Sequence, residues 1–434
     1  MFSTTYHPQA ANNYNYCIAK KYIDSFLTSV MGTANAAATA LGSLDEVPSG
    51  VTCPTDSNGL ITSIATDAGT YTLQSVDNDV GGSLQFSEAV KKVVDVLVAG
   101  TDTDIQVFAS GMYEYTSLKG IADAADGDTA DAFSAHHGSD WISAIITDAT
   151  SASSVYSTAA AKAGVIEKTI MDSIAMQAII SDLEHATHTA VPAHSTAQKN
   201  AYWDSAAAKY FGTSAARSYA IYGSANKRGA NYGQLMGSAY SATNKAIIDA
   251  FNGAVSEANM NIIVKNLKVI YAQSTLRYVF KFNEDLANGA DWTGNRAEAF
   301  AFYNNIAPYV KAADAAGHDA IAAFLNPTVD HSSCNNYHYC KTKAVLKAYD
   351  TAVWNLVGTF ESDDEVTCPA TLPASGVIAC SGSSATPSSS PSGNNSTSPP
   401  PPPMPLILDD DDAGERPGVA GVFIALFIIA LVNV

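Results

Sequence analysis

Charged side chains are scarce in this sequence, and basic ones are the scarcest. Charged residues make up 15% of the 434 residues, with 23 Lys and Arg against 42 Asp and Glu, so the net charge is −19 at pH 7. Because nucleic acids and anionic membranes are bound through basic patches, this balance argues against both as partners. An acidic chain suits cations and the cell exterior, although it selects no particular cation.

Short catalytic motifs are absent as well. The sequence contains no G-x-S-x-G elbow, no phosphate-binding loop, no H-E-x-x-H pair and no dinucleotide fingerprint. We therefore expect a binding protein rather than an enzyme.

Proline is rare before residue 369, and apolar residues make up 47% of the chain. Together with many alanines, this composition favours packed helices from about Phe86 to Phe360. Ile166, Ile170 and Ile174 recur every four residues, which predicts a helix that ends before Pro192.

Two further segments complete the predicted fold. A second long helix is expected over Asn261 to Ala287. The stretch from Gly42 to Gly82 is rich in Thr, Ser, Gly and Asp and alternates around Tyr71, so it predicts a hairpin or a loop excursion. The sequence thus predicts a mainly α fold with a small irregular or β excursion near the N-terminus.

An internal repeat is visible in the helical part. The segment from Ser205 to Tyr210 aligns with the segment from Glu298 to Tyr303. Each of them follows a predicted helix whose last turn contains acidic residues. We expect duplicated helical bundles over about 165–255 and 260–360, with a ligand cleft between the two halves.

The cysteines predict an oxidising compartment. Their number is even and none lies in a C-x-x-C pair, which favours three disulfides, among Cys17, Cys53, Cys334, Cys340, Cys368 and Cys380. We expect Cys334 and Cys340 to close one small loop. The alternative is a zinc site formed by these two cysteines and His338.

Composition changes abruptly near Cys368, so we place the folded ectodomain at 1–380 and a disordered Ser/Pro-rich stalk at 381–417. The stalk contains the glycosylation acceptors Asn394 and Asn395. Residues 418–434 carry no charge and predict a C-terminal anchor, either a single transmembrane helix or a signal exchanged for a lipid. The first residues lack a leader pattern, so we expect a native signal peptide upstream of them.

The first candidate metal ligands are Glu184, His185 and His188, at the end of a predicted helix. At spacings of three and four residues, one helical turn brings a carboxylate and an imidazole to the same side, and this pair suits ferric, ferrous or zinc ions. The alternative is a solvated helix end, where histidines favour the dipole.

The second candidate is the run Tyr113, Glu114 and Tyr115, with several aspartates and His136-His137 downstream. Phenolate and carboxylate oxygens match ferric iron, a hard cation. Tyrosine is abundant, at 21 residues, so packing is the alternative role for these side chains.

The third candidate is a basic, glycine-containing stretch from Ser224 to Gly233, which includes Lys227 and Arg228. As a turn it would hold an anion through guanidinium and backbone N–H groups, and as a helix stop it would place a cation near the last carbonyls. Arg296 is a further candidate for anion binding.

Five longer runs are distinctive: Ser274 to Gly289, Arg296 to Tyr303, Ile306 to Tyr309, Tyr202 to Tyr210 and Ala225 to Gly233. Together they resemble the algal iron-assimilating proteins induced by iron starvation, the phytotransferrin-like family. The resemblance covers roughly Phe86 to Phe360. It implies a surface protein that captures ferric iron with carbonate as a synergistic anion and delivers it by endocytosis.

The family is also distantly similar to imelysin-type helical proteins, whose metal motif is G-x-H-x-x-E. The nearest match here begins at Gly111 and has Tyr113 in place of the histidine and Thr116 in place of the glutamate. This departure argues against an imelysin-type metallopeptidase, which remains one alternative. The other is a structural or adhesive cell-surface glycoprotein without metal.

We therefore predict cell-surface or periplasmic iron capture by a C-terminally anchored protein. The iron site is expected at the contact between the duplicated halves, with phenolate from Tyr113 or Tyr115, carboxylate from Glu114 and Glu184, and imidazole from His185 or His188.

Overall fold

The computed structural model describes residues 61–75, 80–111, 113–188, 194–237, 239–331 and 335–349, together with isolated positions between 366 and 378. The predicted stalk, its glycosylation acceptors, the C-terminal anchor and four of the six cysteines lie outside the described residues. Within the described ranges, no helix has both the length and the apolar character needed to cross a membrane.

Helices account for most of the described chain, which confirms the predicted mainly α fold. The first group comprises α1 (Gly81–Val96), α2 (Asp102–Ser110), α3 (Tyr113–Asp123), α4 (Asp128–His137) and α5 (Trp141–Thr150). The second comprises α6 (Ala159–Lys168), a π-helical turn (Thr169–Ile174), α7 (Ala175–Thr187), α8 (Thr196–Phe211), a 3₁₀ turn (Arg217–Tyr219), α9 (Ile221–Asn231) and α10 (Ala242–Phe251). The last comprises α11 (Glu257–Asn288), α12 (Thr293–Asn304), α13 (Ala307–Ala313), α14 (Ala315–Leu325) and α15 (Asn336–Tyr349).

Two helical hairpins form the centre of the fold. In the first hairpin, α6, the π turn and α7 run on continuously, and α8 folds back along α7. In the second hairpin, α12 folds back along α11. The hairpins meet where α12 packs on α6 and α7 packs on α11, and their apolar faces bury one another there. This contact is called the seam below.

The two similar sequence segments occupy matching places in these hairpins. Ser205 to Tyr210 lies in α8, and Glu298 to Tyr303 lies in α12. Each segment therefore belongs to the second, returning helix of its hairpin. The domain limits at 380 and 417 remain predictions.

The long helix α11 is capped at both ends. The side chain of Ser256 accepts a hydrogen bond from the backbone N–H of Asn259, and Gly289 closes the helix in the left-handed conformation at φ +67°. The helix extends a few residues beyond the predicted span at its start, since an apolar stripe does not show where a cap lies.

The predicted N-terminal excursion is a β-hairpin. Strands β1 (Ser63–Thr66) and β2 (Gly69–Thr72) pair antiparallel, with Ile64 opposite Tyr71. The Tyr71 hydroxyl donates to the buried carboxylate of Asp204 on α8, which also accepts from the backbone of Gln74 at 2.8 Å and Ser75 at 2.9 Å. A buried carboxylate with three donors fixes the hairpin to the first helical hairpin. A second small hairpin, β3 (Leu235–Met236) with β4 (Tyr240–Ser241), was not predicted.

One disulfide is described, and it corrects the predicted pairing. Cys340 of α15 is bonded to Cys368, with a Cα–Cα distance of 5.5 Å. The expected loop between Cys334 and Cys340 is therefore wrong, because Cys340 has another partner. A zinc site with Cys340 is wrong for the same reason: a disulfide sulfur is no thiolate ligand. The bond ties the segment around Cys368 to a helix that packs on α11.

Candidate functional site

Glu184 lies near the end of α7 and holds the beginning of α4. Its carboxylate accepts from the backbone N–H of Thr129 at 3.2 Å and from the Thr129 hydroxyl at 2.6 Å. Burial raises the pKa of the Glu184 carboxyl. Gly127 precedes α4 with φ +103°, and a Cβ there would lie 2.2 Å from a Glu184 carboxylate oxygen. The carboxylate therefore serves as a cap for the free N–H groups at the helix start.

The neighbouring residue His185 is the centre of a polar cluster on the surface. Its Nε2 lies 2.5 Å from Oδ1 of Asp126, and its Nδ1 lies 3.2 Å from Nε2 of His194. The ring of Tyr202 on α8 stacks on His185 with ring centroids 4.8 Å apart. We call Asp126, His185, His194 and Tyr202 the histidine cluster. His194 and Tyr202 were missed because they come from the far side of the hairpin turn, and no spacing rule connects them to His185.

The histidine cluster contains an oriented imidazole. If Nε2 of His185 donates to Asp126, its Nδ1 accepts the proton carried by Nε2 of His194. This arrangement of carboxylate and imidazole is the one that orients metal-binding histidines. Two nitrogens bound to one metal at about 2.1 Å, and at an angle of 90–110°, lie about 3.0–3.4 Å apart. The 3.2 Å between the two histidines is that of their hydrogen bond, and a metal ion held by the same two nitrogens would keep them at a similar separation.

A complete set of metal ligands is not assembled. In the described part of the chain, no three His, Cys, Asp or Glu side chains are arranged to hold a metal ion together. His185 presents one nitrogen to Asp126 and the other to His194, so these three groups do not converge on one point.

The other predicted metal ligands lie in different surroundings. The backbone N–H of His188 donates to the carbonyl of Glu184 at 2.8 Å and closes α7. Tyr115 is buried against Phe108, and burial raises the pKa of its phenol. Tyr113 begins α3, but the side chains of Tyr113 and Glu114 lie outside the described residues. The predicted phenolate ligands therefore stay a prediction.

The downstream histidine pair ends α4. Burial lowers the pKa of His137 to about 4, and its Nε2 lies 3.0 Å from the carbonyl oxygen of Asn304. The ring of His136 lies 5.0 Å from that of His318. These contacts pack the end of α4 against the end of α12, away from the histidine cluster.

Arg296 has a structural role in the second hairpin. Its guanidinium donates to the backbone carbonyls of Asn326 at 3.4 Å, Pro327 at 2.9 Å and Val329, and it lies over the Trp292 ring. These carbonyls follow the end of α14, where backbone acceptors need donors. The positive charge predicted to hold carbonate is thus directed at the protein's own backbone.

The basic stretch from Ser224 to Gly233 is mostly helix. It belongs to α9, which ends at Asn231 with Arg228 in the last turn. The predicted turn is wrong over these residues, and the alternative of a helix stop with a nearby cation is the one observed. Arg228 is buried beside the Tyr278 ring, whereas Lys227 reaches the surface.

The π turn places a carboxylate in the core at the seam. Asp172 is fully buried, and its Oδ2 has no hydrogen-bond partner among the described residues. Its Oδ1 accepts from the Ser224 hydroxyl at 3.4 Å, and its backbone carbonyl accepts from the Tyr271 hydroxyl at 3.2 Å. Burial raises the pKa of Asp172 to about 7, although Lys168 and other cations oppose the shift.

Both positive and negative side chains lie close to Asp172. Lys168, one turn earlier, pairs with Glu167 at 2.8 Å and with Glu298 of α12 at 3.5 Å. Burial raises the pKa of Glu298 as well. A π turn with buried ionisable groups is a common mark of a functional region. Lys168, the residue before the π turn, links the two hairpins through its ion pair with Glu298.

An open cleft lies on the outer side of α9. It has a volume of about 420 Å³. Its lining consists of Asp67, Arg217, Ser218, Tyr222, Gly223, Asn226 and Lys227. Of the residues predicted to bind an anion, Lys227 alone is part of this lining.

Searches for related proteins found no match, whether among family models, curated proteins or solved structures. The support for a function therefore comes from the geometry above and from the sequence.

Proposed function

We propose that this protein captures ferric iron at the cell exterior and holds it together with a (bi)carbonate anion for uptake. The observation that supports the proposal best is the pair of facing imidazoles at the turn of the first hairpin, 3.2 Å apart and backed by a carboxylate. The acidic net charge of −19 adds a general attraction for cations.

In the proposed binding step a metal ion replaces the hydrogen bond between the two histidines. The proton on Nε2 of His194 is transferred through solvent to Nδ1 of the same ring, so that Nδ1 of His185 and Nε2 of His194 both bind the ion as neutral imidazoles. The Asp126 carboxylate, 2.5 Å from Nε2 of His185, orients the His185 ring. The stacked Tyr202 ring restricts movement of His185.

In this proposal the other coordination positions of the ion are filled by ligands that the protein does not supply. Ferric iron prefers oxygen donors, and carbonate together with water supplies them. Acid protonates carbonate and removes a ligand, so the same composition provides a means of release. The site also lies beside the start of α11, since the Thr187 hydroxyl lies 3.1 Å from the Met260 sulfur.

Equilibrium dialysis of the full chain tests the proposal. Ferric nitrilotriacetate would be the iron source, with and without bicarbonate, and zinc and calcium would be run in parallel. We expect saturable ferric binding that bicarbonate strengthens, and at least a tenfold loss in the variants His185→Ala and His194→Ala, since each removes one of two protein ligands.

His136→Ala is the matched control, because this histidine ends α4 outside the cluster. It should bind iron like the parent protein. Absence of ferric binding, or equal binding by the parent and the double variant His185→Ala/His194→Ala, would overturn the proposal. Tighter binding of zinc than of iron would overturn the choice of cargo while leaving the site in place.

A further inference from the structure

We propose that the cleft beside α9 binds a small organic carboxylate. The cleft is formed by the turn of the β1–β2 hairpin, the 3₁₀ turn and the first turns of α9. Its volume of about 420 Å³ falls within the range of small-molecule pockets, roughly 300–1,000 Å³.

Arg217 gives the cleft a fixed cation. Its Nε donates to the Phe211 carbonyl at 3.2 Å, and one terminal nitrogen, Nη2, donates to the Ala65 carbonyl at 2.8 Å. The guanidinium plane also lies over the Tyr222 ring, 5.6 Å from its centroid. These contacts hold Arg217 in place without neutralising it, and a carboxylate is the natural partner for the N–H groups of a guanidinium.

The single acidic residue of the lining is already engaged by the protein. Asp67 accepts from the Tyr222 hydroxyl, whose oxygen in turn accepts from the backbone of Ala68 at 3.1 Å. Nδ2 of Asn226 lies 3.5 Å from the second Asp67 oxygen. Arg217 and Lys227 supply the positive charges of the lining, and of these the Arg217 guanidinium is held with its plane fixed by neutral groups. This fixed guanidinium is what makes the cleft suitable for an anion in a chain that is acidic overall.

Gly223 allows the close approach that builds the cleft. A Cβ at this position would lie 2.7 Å from the Ser218 Cα and 2.8 Å from the Arg217 carbonyl. Both are backbone atoms, so they cannot move aside as a flexible side chain would. Glycine at 223 thus brings the 3₁₀ turn against α9 and sets the position of the Arg217 side chain.

The cleft is separate from the histidine cluster. Ser224 of α9 contacts Asp172, in the π turn at the start of α7, whereas His185 lies near the end of α7. At about 1.5 Å per residue, the helix from Asp172 to His185 is about 20 Å long. An anion in the cleft therefore does not ligate a metal at the cluster, and its binding is expected without iron.

Isothermal titration of the iron-free full chain tests the inference, with acetate, succinate and phosphate at constant ionic strength. We expect one of the two carboxylates to bind in the cleft more tightly than phosphate. Lys227→Gln should weaken that binding about tenfold, because one charge-assisted contact is lost. Lys245→Gln on α10 is the matched control, since Lys245 is exposed and pairs with Asp249 within its own helix.

A second variant guards against a folding defect. Arg217→Lys keeps the positive charge but loses the planar guanidinium, which can donate two parallel N–H groups to one carboxylate. It should therefore also weaken carboxylate binding. Circular dichroism would confirm that both variants stay helical. Tighter binding of phosphate than of either carboxylate, or carboxylate affinity unchanged in both variants, would overturn the inference.

Discussion

The two helical hairpins share a layout but differ at corresponding places. In the first hairpin, the long helix is interrupted by a π turn with a buried acid, and its end carries His185 in contact with His194. In the second hairpin, α11 is unbroken over 32 residues, and its end is closed by Gly289. In the same hairpin, the Arg296 guanidinium donates its hydrogen bonds to backbone carbonyls. The first hairpin thus carries a buried acid and a pair of facing histidines, whereas the second has an unbroken helix, an arginine bound to backbone carbonyls and a buried acid, Glu298, that pairs with Lys168.

Replacing the buried acid of the first hairpin should give the largest change. Because burial raises the pKa of Asp172 to about 7, the folded protein keeps this proton at pH values where the unfolded chain has lost it. Stability therefore falls as pH rises from about 4 to about 7 and is level above that. In Asp172→Asn this slope should shrink, so that the variant gains about 2 to 4 kcal/mol relative to the parent between pH 4 and pH 8.

Urea unfolding followed by circular dichroism at several pH values measures this effect. Asp249→Asn, an exposed acid on α10, is the control and should keep the slope of the parent. If parent and Asp172→Asn have parallel pH profiles, Asp172 is ionised in the folded protein, and the contrast between the hairpins loses its main support.

Removing the Arg296 side chain from the second hairpin should cost stability at every pH. In Arg296→Ala the carbonyls of Asn326, Pro327 and Val329 lose their donor, and we expect a loss of about 2 to 3 kcal/mol in the free energy of unfolding. Arg296→Lys should recover only part of it, because an ammonium group does not reproduce the planar fork. Ferric binding should be unchanged in both variants, since Arg296 contacts backbone and not the cluster. A loss of bicarbonate-dependent binding would instead restore Arg296 as an anion ligand.

Local sequence rules were sufficient for the elements of both hairpins. The apolar stripe of Ile166, Ile170 and Ile174 predicted a helix, and all three side chains are fully buried. That stripe also contained an unused signal for the π turn. Four residues exceed one α-helical turn by about 40°, so a stripe repeating every four residues drifts around a straight helix. A wider π turn takes up this drift.

The contents of the site were harder to predict, because they depend on contacts between distant segments. Glu184 and Thr129 meet only after α4 has packed against α7. The sequence alone therefore does not show that the Glu184 carboxylate is already engaged as a cap. The same applies to Arg217, which sequence did not single out and which the packing of β1 and α9 converts into a wall of the cleft. Residue type and spacing show which side chains are able to bind a ligand, and tertiary packing decides which are already engaged.

The smallest effect is expected for Glu184→Gln, and it separates two roles for the same side chain. As a cap, glutamine still accepts from the N–H and hydroxyl of Thr129, so the free energy of unfolding should change by less than about 1 kcal/mol, the size of a charge effect at a helix start. Ferric affinity in the dialysis assay should then stay within about twofold of the parent, because no ligand is lost. As a ligand, Glu184 would be needed as a carboxylate, since a neutral amide is a much weaker donor to a ferric ion. A tenfold fall in ferric affinity at unchanged stability would therefore reassign Glu184 from the cap of α4 to the metal site.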